Sequence, residues 1–208
     1  MSDTYRTIEE SSPVELKVEG SRFLAEAAAI DSRETVTRRI EAVRSREHKA
    51  THHCTAYRLG REGDDYHYDD DGEPSGTAGR PILRQIDAHS LTNTLVVVTR
   101  YFGGTELGTG GLMRAYSEAA DRVLSQASVV ERVVRTPIRL RFGYEDTTPA
   151  RTVLQHFDAS MMDSQYTDVT EWTVGVRRSE VEAFVEAFTN ALSGRGEILS
   201  VGKEVSTE

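Results

Sequence analysis

The chain has 208 residues, 38% hydrophobic and 28% charged, a formal net charge of −9 and a single cysteine. One cysteine excludes an intrachain disulfide, a CxxC redox motif and a cysteine zinc site, and no apolar run approaches the roughly 20 residues that span a bilayer. The first ten residues are polar and acidic, without the basic-then-apolar layout of a secretory leader, so a cytoplasmic protein of two compact domains, each of about a hundred residues, is expected.

Only Lys17, Lys49 and Lys203 are lysines among the 25 basic residues. An acidic, lysine-poor surface suits solvation in strong salt, so a salt-loving source is expected. Net negative charge ordinarily argues against nucleic-acid binding, which rests on neutralising phosphates. In strong salt that argument weakens, because charge contacts are screened.

In chain order, Val14, Leu16 and Val18 alternate as a strand, and residues 23–30 read as a second strand after the turn at Glu19 and Gly20. Asp31 or Ser32 then caps a helix whose Val36, Ile40 and Val43 share one face. Residues 53–59 read as a third strand, and residues 60–75, polar with Gly63, Gly72 and Pro74, as a long exposed loop. Pro81 suits the first residue of a short helix reaching Ile86. Val96, Val97 and Val98 centre a continuous apolar run, as in a strand covered on both faces.

Gly103, Gly104, Gly108, Gly110 and Gly111 follow within nine positions, and Leu112, Tyr116, Ala119, Val123 and Ala127 then repeat at helical spacing. The glycines serve either a tight turn and close packing or contact with a ligand, since both need the same backbone freedom. A glycine loop entering a helix N-terminus is a place where an anion can be held. The string matches neither GxxxxGK[ST] nor a clean GxGxxG, so nucleotide hydrolysis is not expected.

The chain divides near residues 130–136. Beyond that point a strand (Ile138, Leu140, Phe142, Tyr144), a helix starting at Thr148 and Pro149, strands over 161–169 and 171–176, a helix opened by a Ser179/Glu182 capping box, and a last strand over 198–205 give the order βαββαβ. That order is the ferredoxin-like split unit. Met161 and Met162 read as packing residues.

Three clusters carry residue types with chemistry. His53 and Cys54 are neighbours on a strand and point to opposite faces, so they cannot easily pair, and Cys54 reads as a core residue rather than a nucleophile. The run Asp69, Asp70, Asp71, Gly72, Glu73 is not a calcium loop, because His67 and Ala78 fall where carboxylates are required. Its carboxylates are expected instead to accept hydrogen bonds from Arg100 or from the glycine-loop amides, on a path fixed by Pro74, Gly76 and Gly79. Arg100, at the end of a buried strand, either locks to the acidic turn or presents its guanidinium to a phosphate or carboxylate. Tyr101 and Phe102 beside it either stack on bases or fill core, whichever faces inward doing the latter. No nucleophile–base pair and no metal-ligand set can be assembled.

The run DDGEPSGTAGRPIL at residues 70–83, followed by VVVTRYFGGTELGTGGLMRAY at residues 96–116, resembles the signature of the IMPACT family, also called the YigZ or UPF0029 family. Ser21, Arg22 and Phe23, then His52, His53 and Cys54, fall in the order that family uses. The resemblance covers roughly residues 14–128; Gly20 stands where many members carry lysine, and Asp69 where many carry serine.

The resemblance implies an α+β protein of two domains. Residues 1–132 would be similar to domain IV of elongation factor G, of the ribosomal protein S5 second-domain type. Residues 133–208 would be ferredoxin-like and similar to domain V. It also implies no established enzymatic activity and no cofactor, a link to control of translation, and, for bacterial members, suggested nucleic-acid binding. The extra N-terminal domain of eukaryotic relatives has no room before the first strand, so regulation through its contacts is not expected.

The shared surface maps onto Asp70, Asp71, Gly72, Glu73, Pro74, Gly76, Thr77, Gly79, Arg100, Tyr101, Gly103, Gly104, Gly108, Gly110 and Gly111. Acidic turn and glycine loop are expected to form one outward-facing site. The favoured reading is a binding module for ribosomal or other RNA, or for a translation-associated protein, with no membrane partner. The alternative is an enzyme acting on a small phosphate-like anion at the helix N-terminus, with Asp70, Asp71 or Glu73 as acid or base.

Overall fold

A computed structural model describes residues 3–9 and 11–207, in two compact units: Tyr5–Glu131, and the chain from Arg132 onward with the first few residues. Both are α+β. Among the described residues no helix is long and apolar enough to cross a membrane.

The first unit contains β1 (Thr4–Ile8), β2 (Val14–Val18), β3 (Ser21–Ala29), α1 (Arg33–Arg46), β4 (His52–Leu59), β5 (Asp65–Asp69), α2 (Gly79–Ala88), β6 (Thr94–Tyr101) and α3 (Gly108–Gln126). Its five-stranded sheet runs β2-β3-β6-β4-β5, antiparallel throughout. β6 is central and buried from Thr94 to Arg100 because helices cover both faces. Leu95 and Val97 pack with Val36, Ile40 and Val43 of α1. Val96 and Val98, on the opposite face, pack with Ile82 and Ile86 of α2 and with Leu112 and Tyr116 of α3. The apolar run from Leu95 to Val98 is what two-sided burial demands, and each such side chain contributes about 1.5–3 kcal/mol.

Ser32 caps α1, its Oγ accepting from the Thr35 amide at 3.2 Å. Three expectations for this unit need correction. The stretch 60–75 is not all loop, because β5 pairs with β4 from Leu59↔Asp65 to Thr55↔Asp69. Helix α2 begins at Gly79, two residues before Pro81, which is buried within its first turn. Helix α3 begins at Gly108, so three of the five glycines lie inside the helix rather than before it.

The second unit contains most of β7 (Val129–Phe142), then α4 (Thr147–His156), β8 (Ser160–Tyr166), β9 (Thr170–Arg177), α5 (Val181–Ala191), β10 (Glu197–Val201) and β11 (Val205–Thr207). Within its six-stranded sheet the order β10-β7-β9-β8, each of these pairs antiparallel, is that of a ferredoxin-like fold. Trp172, Val174 and Val176 alternate inward against Ile138, Leu140 and Phe142, and Phe184 and Phe188 of α5 close the core.

The two units divide at Glu131 and Arg132, inside the expected stretch, and residues 130–136 lie within β7, where Arg135 and Thr136 pair with Arg177 and Val176. The last strand is broken after Val201, where the Gly202 amide turns to donate to Pro137 O at 2.7 Å. The Ser179/Glu182 capping box is not made: Ser179 bonds the carboxylate of Asp3, and a 3-10 turn at Arg178–Glu180 leads into α5. Met161 and Met162 stand exposed on β8 instead of packing.

Candidate functional site

The turn between β5 and α2 is held by its own carboxylates. Asp71, Gly72 and Gly76 all take positive φ (43°, 89° and 77°), which folds the chain back so that Asp70 faces the start of α2. The Asp70 carboxylate accepts from the amides of Gly76 (2.7 Å), Ala78 (3.0 Å) and Gly79 (2.8 Å). Asp70 therefore places an internal anion on the positive end of α2, whose own N-cap residue, Ala78, has no side chain to offer. Gly79 has no room for a side chain, because a Cβ there would lie 2.7 Å from the Asp69 amide nitrogen.

Asp71 accepts from the His53 amide (2.6 Å) and from Arg44 (2.7 Å), while its backbone carbonyl lies 2.8 Å from His52 Nδ1. Thr77 is buried, its hydroxyl donating to Pro74 O at 2.6 Å. Glu73 accepts from Arg100 (2.7 Å) and from the Tyr116 hydroxyl (2.7 Å), and the side chains of the ion pair are only 3% and 6% exposed. Arg100 also donates to Ser21 Oγ at 3.2 Å, leaving its Nε without a partner. Cys54 lies beneath this turn, fully buried, its thiol donating to Asp70 O at 3.1 Å. Burial pushes the Cys54 thiol and, beside it, the Tyr116 phenol far above their usual ranges, so neither ionises in the folded protein.

The glycine loop is different. Phe102 is 49% exposed, residues 103–106 and 108–110 are exposed, and among the described residues two amides at its start find side-chain partners: Phe102 N on Thr51 Oγ and Gly103 N on Ser21 Oγ, both at 3.2 Å. Gly103 is required by close approach, since a Cβ would sit 1.9 Å from the Gly20 carbonyl carbon. Gly104 and Gly108 are required by φ, at +87° and +66°, and have open space around them; a Cβ on Gly111 would press on Leu107, and Gly110 meets only the end of Arg114. Leu107 stands at the N-cap of α3 without a side-chain bond, and the first turn contains no acidic residue. The positive end of this 19-residue helix thus faces outward uncapped, in contrast to α2.

The two halves meet, but not as one outward-facing site. Ser21 accepts from both Arg100 and Gly103, and Tyr116 of α3 reaches Glu73. Arg100 is locked inside by Glu73 and is not presented to a phosphate, and no acidic-turn carboxylate receives a glycine-loop amide. Tyr101 is held apart, its hydroxyl donating to Glu47 at 2.7 Å and its ring lying under Arg22 at 4.3 Å; neither it nor Phe102 is a core residue. Ser21, Arg44, His52 and Tyr116 complete the network without having been singled out as bonding groups from sequence. Tyr116 was legible as the buried stripe of α3, but its hydroxyl partner was not. Among the described residues no group of three or more His, Cys, Asp or Glu is arranged to hold a metal.

A two-unit α+β chain whose signature turn folds inward and whose glycine loop faces out is the class of protein that the geometry defines. Comparison with known proteins gives it a family: residues 19–124 match the Impact N-terminal domain, and residues 140–195 match a domain of unknown function (DUF1949). The chain belongs to the IMPACT family. It is 32% identical to IMPACT family member YvyE of Bacillus subtilis, across 95% of this chain and 91% of that one, and 30% identical to IMPACT family member YigZ of Escherichia coli, across 89% and 92%. A protein named Protein IMPACT homolog in Saccharomyces cerevisiae is 34% identical over 50% of this chain and 42% of its own length. A crystal structure of a hypothetical protein superposes with a TM-score of 0.69 at 28% identity, covering 98% of this chain and all of the other.

Proposed function

We propose that this protein is a non-enzymatic binding module of the translation apparatus that contacts RNA, on the ribosome or free, through the glycine loop and the N-terminus of α3. One observation supports the reading above the others: of two helix N-termini on the same face of the sheet, one is closed by Asp70 and the other is open. An uncapped helix end with exposed glycine amides accepts a phosphate oxygen without requiring a lysine. The kinship with IMPACT homologues supports a role near translation.

An enzyme acting on a small anion would need an acid or base beside that anion. The carboxylates of Asp70, Asp71 and Glu73 are already engaged with amides, Arg44, Arg100 and Tyr116, and Cys54 stays protonated, which favours binding over catalysis. The test is cosedimentation of the full chain with ribosomes, comparing wild type with Thr109→Glu. A carboxylate at the second position of α3 stabilises the helix while repelling an incoming phosphate. The expected result is a protein at least as stable as wild type that no longer sediments with ribosomes; equal sedimentation would remove the glycine loop as the contact, and a ribosome-associated protein crosslinked at residues 102–111 would replace RNA as the partner.

A further inference from the structure

Helices α2 and α3 pack side by side on one face of the first sheet, and an open groove of about 710 Å3 runs between them. Arg84 of α2 and Arg114 of α3 line it, with Gln85 and Ser117, bonded to each other at 2.6 Å, between them. The acidic groups at its far end have partners: Glu118 pairs with Arg122 at 2.6 Å, and Asp121 lies 2.8 Å from His89 Nε2. Arg84 also lines a second depression, shared with Arg80 one turn earlier on α2 and with Tyr66 and Tyr68 on the edge strand β5. Those two tyrosines are two residues apart, so they share a face of β5, and they are 53% and 40% exposed.

Arg80, Arg84 and Arg114 are exposed, and none makes a hydrogen bond or ion pair among the described residues. Arg33, Arg44, Arg46, Arg58, Arg122, Arg139 and Arg141 all find carboxylates nearby, as a net charge of −9 makes easy. Three guanidiniums left unneutralised on one face of so acidic a chain form a local positive strip, bordered on its outer edge by two open aromatic rings. Guanidiniums that track a backbone and aromatic rings on which bases stack are the combination that binds single strands without reading sequence. A duplex could use the arginines but not the rings, because its bases are already stacked.

We propose that the groove between α2 and α3 and the adjoining depression between α2 and β5, which share Arg84, form one binding site for single-stranded RNA, with Arg80, Arg84 and Arg114 on the phosphates and Tyr68 stacking on a base. This rests on the reading that the protein's partner is RNA, and it extends the contact from the tip of α3 across the helical face. Tyr66 contributes less, since Arg58 already lies 5.0 Å from its ring centre.

Fluorescence anisotropy of the full chain with a labelled oligouridine of about a dozen nucleotides tests it, with a duplex of equal length and polyglutamate as competitors. Wild type should bind the single strand in preference to the duplex, with an affinity that falls as salt rises. The triple variant Arg80→Glu, Arg84→Glu, Arg114→Glu should lose at least about tenfold in affinity, and Tyr68→Ala about fivefold. These side chains are on the surface, so Tyr68→Ala should melt like wild type; the triple variant adds to the negative charge, so Arg80→Gln, Arg84→Gln, Arg114→Gln is measured beside it and should also lose affinity while melting near wild type. A triple variant that binds the single strand undiminished overturns the groove while leaving RNA as the partner. A wild type that binds no RNA at low salt overturns both. Polyglutamate competing as well as RNA overturns the choice of ligand in favour of an acidic protein segment.

Discussion

Glu73 and Arg100 face each other almost out of reach of water, and each depends on the other for neutralisation. Removing one partner leaves a buried uncompensated charge, a loss of about 3–5 kcal/mol. Arg100→Ala and Glu73→Gln should therefore both lower the urea midpoint sharply, the second because a buried guanidinium left without its carboxylate cannot shed its charge; small losses would show that the pair does not hold the turn. Cys54 gives a second prediction at the same scale. Its thiol is raised far above its ordinary pKa by burial, so it should resist a disulfide reagent at pH 8 in the folded protein and react once urea unfolds the chain. Reaction of the native protein at the rate of a free thiol would contradict its placement. The core position of Cys54 was readable because an unpaired cysteine is among the most buried residue types. The partner of Asp70 was not, because a side chain that caps a helix nine residues later has no fixed spacing to betray it, unlike Ser32, which caps from the adjacent position.

At the scale of elements, the two helix N-termini can be set against each other. Asp70→Ala should destabilise the protein by about 0.5–2 kcal/mol, as loss of a cap does, while Thr109→Glu on α3 should gain about 0.3–1 kcal/mol at low salt. Thermal melting of the two variants measures both signs, and a loss in both would mean that α3 is already satisfied. The second unit has its own electrostatic fastener: Arg195, just beyond α5, donates to Asp146 ahead of α4 at 2.6 and 3.1 Å and holds that carboxyl below the usual range. A carboxyl whose folded pKa is depressed contributes stability that is fully present above the ordinary carboxylate range and is lost as pH falls through the folded value. Unfolding followed from pH 6 downward should show that loss, and Asp146→Asn should flatten it.

The elements that were legible are those with one covered face and a clear period, such as α3 with Leu112, Tyr116, Ala119 and Val123. Strand β5 was hidden because Asp65, Tyr66, His67 and Tyr68 lie at an edge and present polar atoms on both faces. Residues 130–136 read as a boundary because Glu131, Arg132 and Arg135 interrupt the apolar pattern, yet pairing with β9 and β11 keeps them extended.

For the whole molecule, charge is the governing quantity. A net charge of −9 with three lysines should make the fold more stable as salt rises, through screening of self-repulsion, and a denaturation midpoint that does not move with salt would count against a salt-adapted surface. The same charge makes the positive strip on α2 and α3 stand out, and under the proposed function it confines RNA to a local contact rather than the whole surface. The groove was invisible in the sequence because Arg114 joins Arg80 and Arg84 only when the two helices pack.

Backbone hydrogen exchange of the intact protein, alone and with purified ribosomes, tests most directly whether the glycine loop is the contact. Protection should appear on binding across residues 102–111, with little change over residues 69–79, whose Gly76, Ala78 and Gly79 amides are already held by Asp70. Bound protein whose residues 102–111 exchange as fast as in the free state would contradict it.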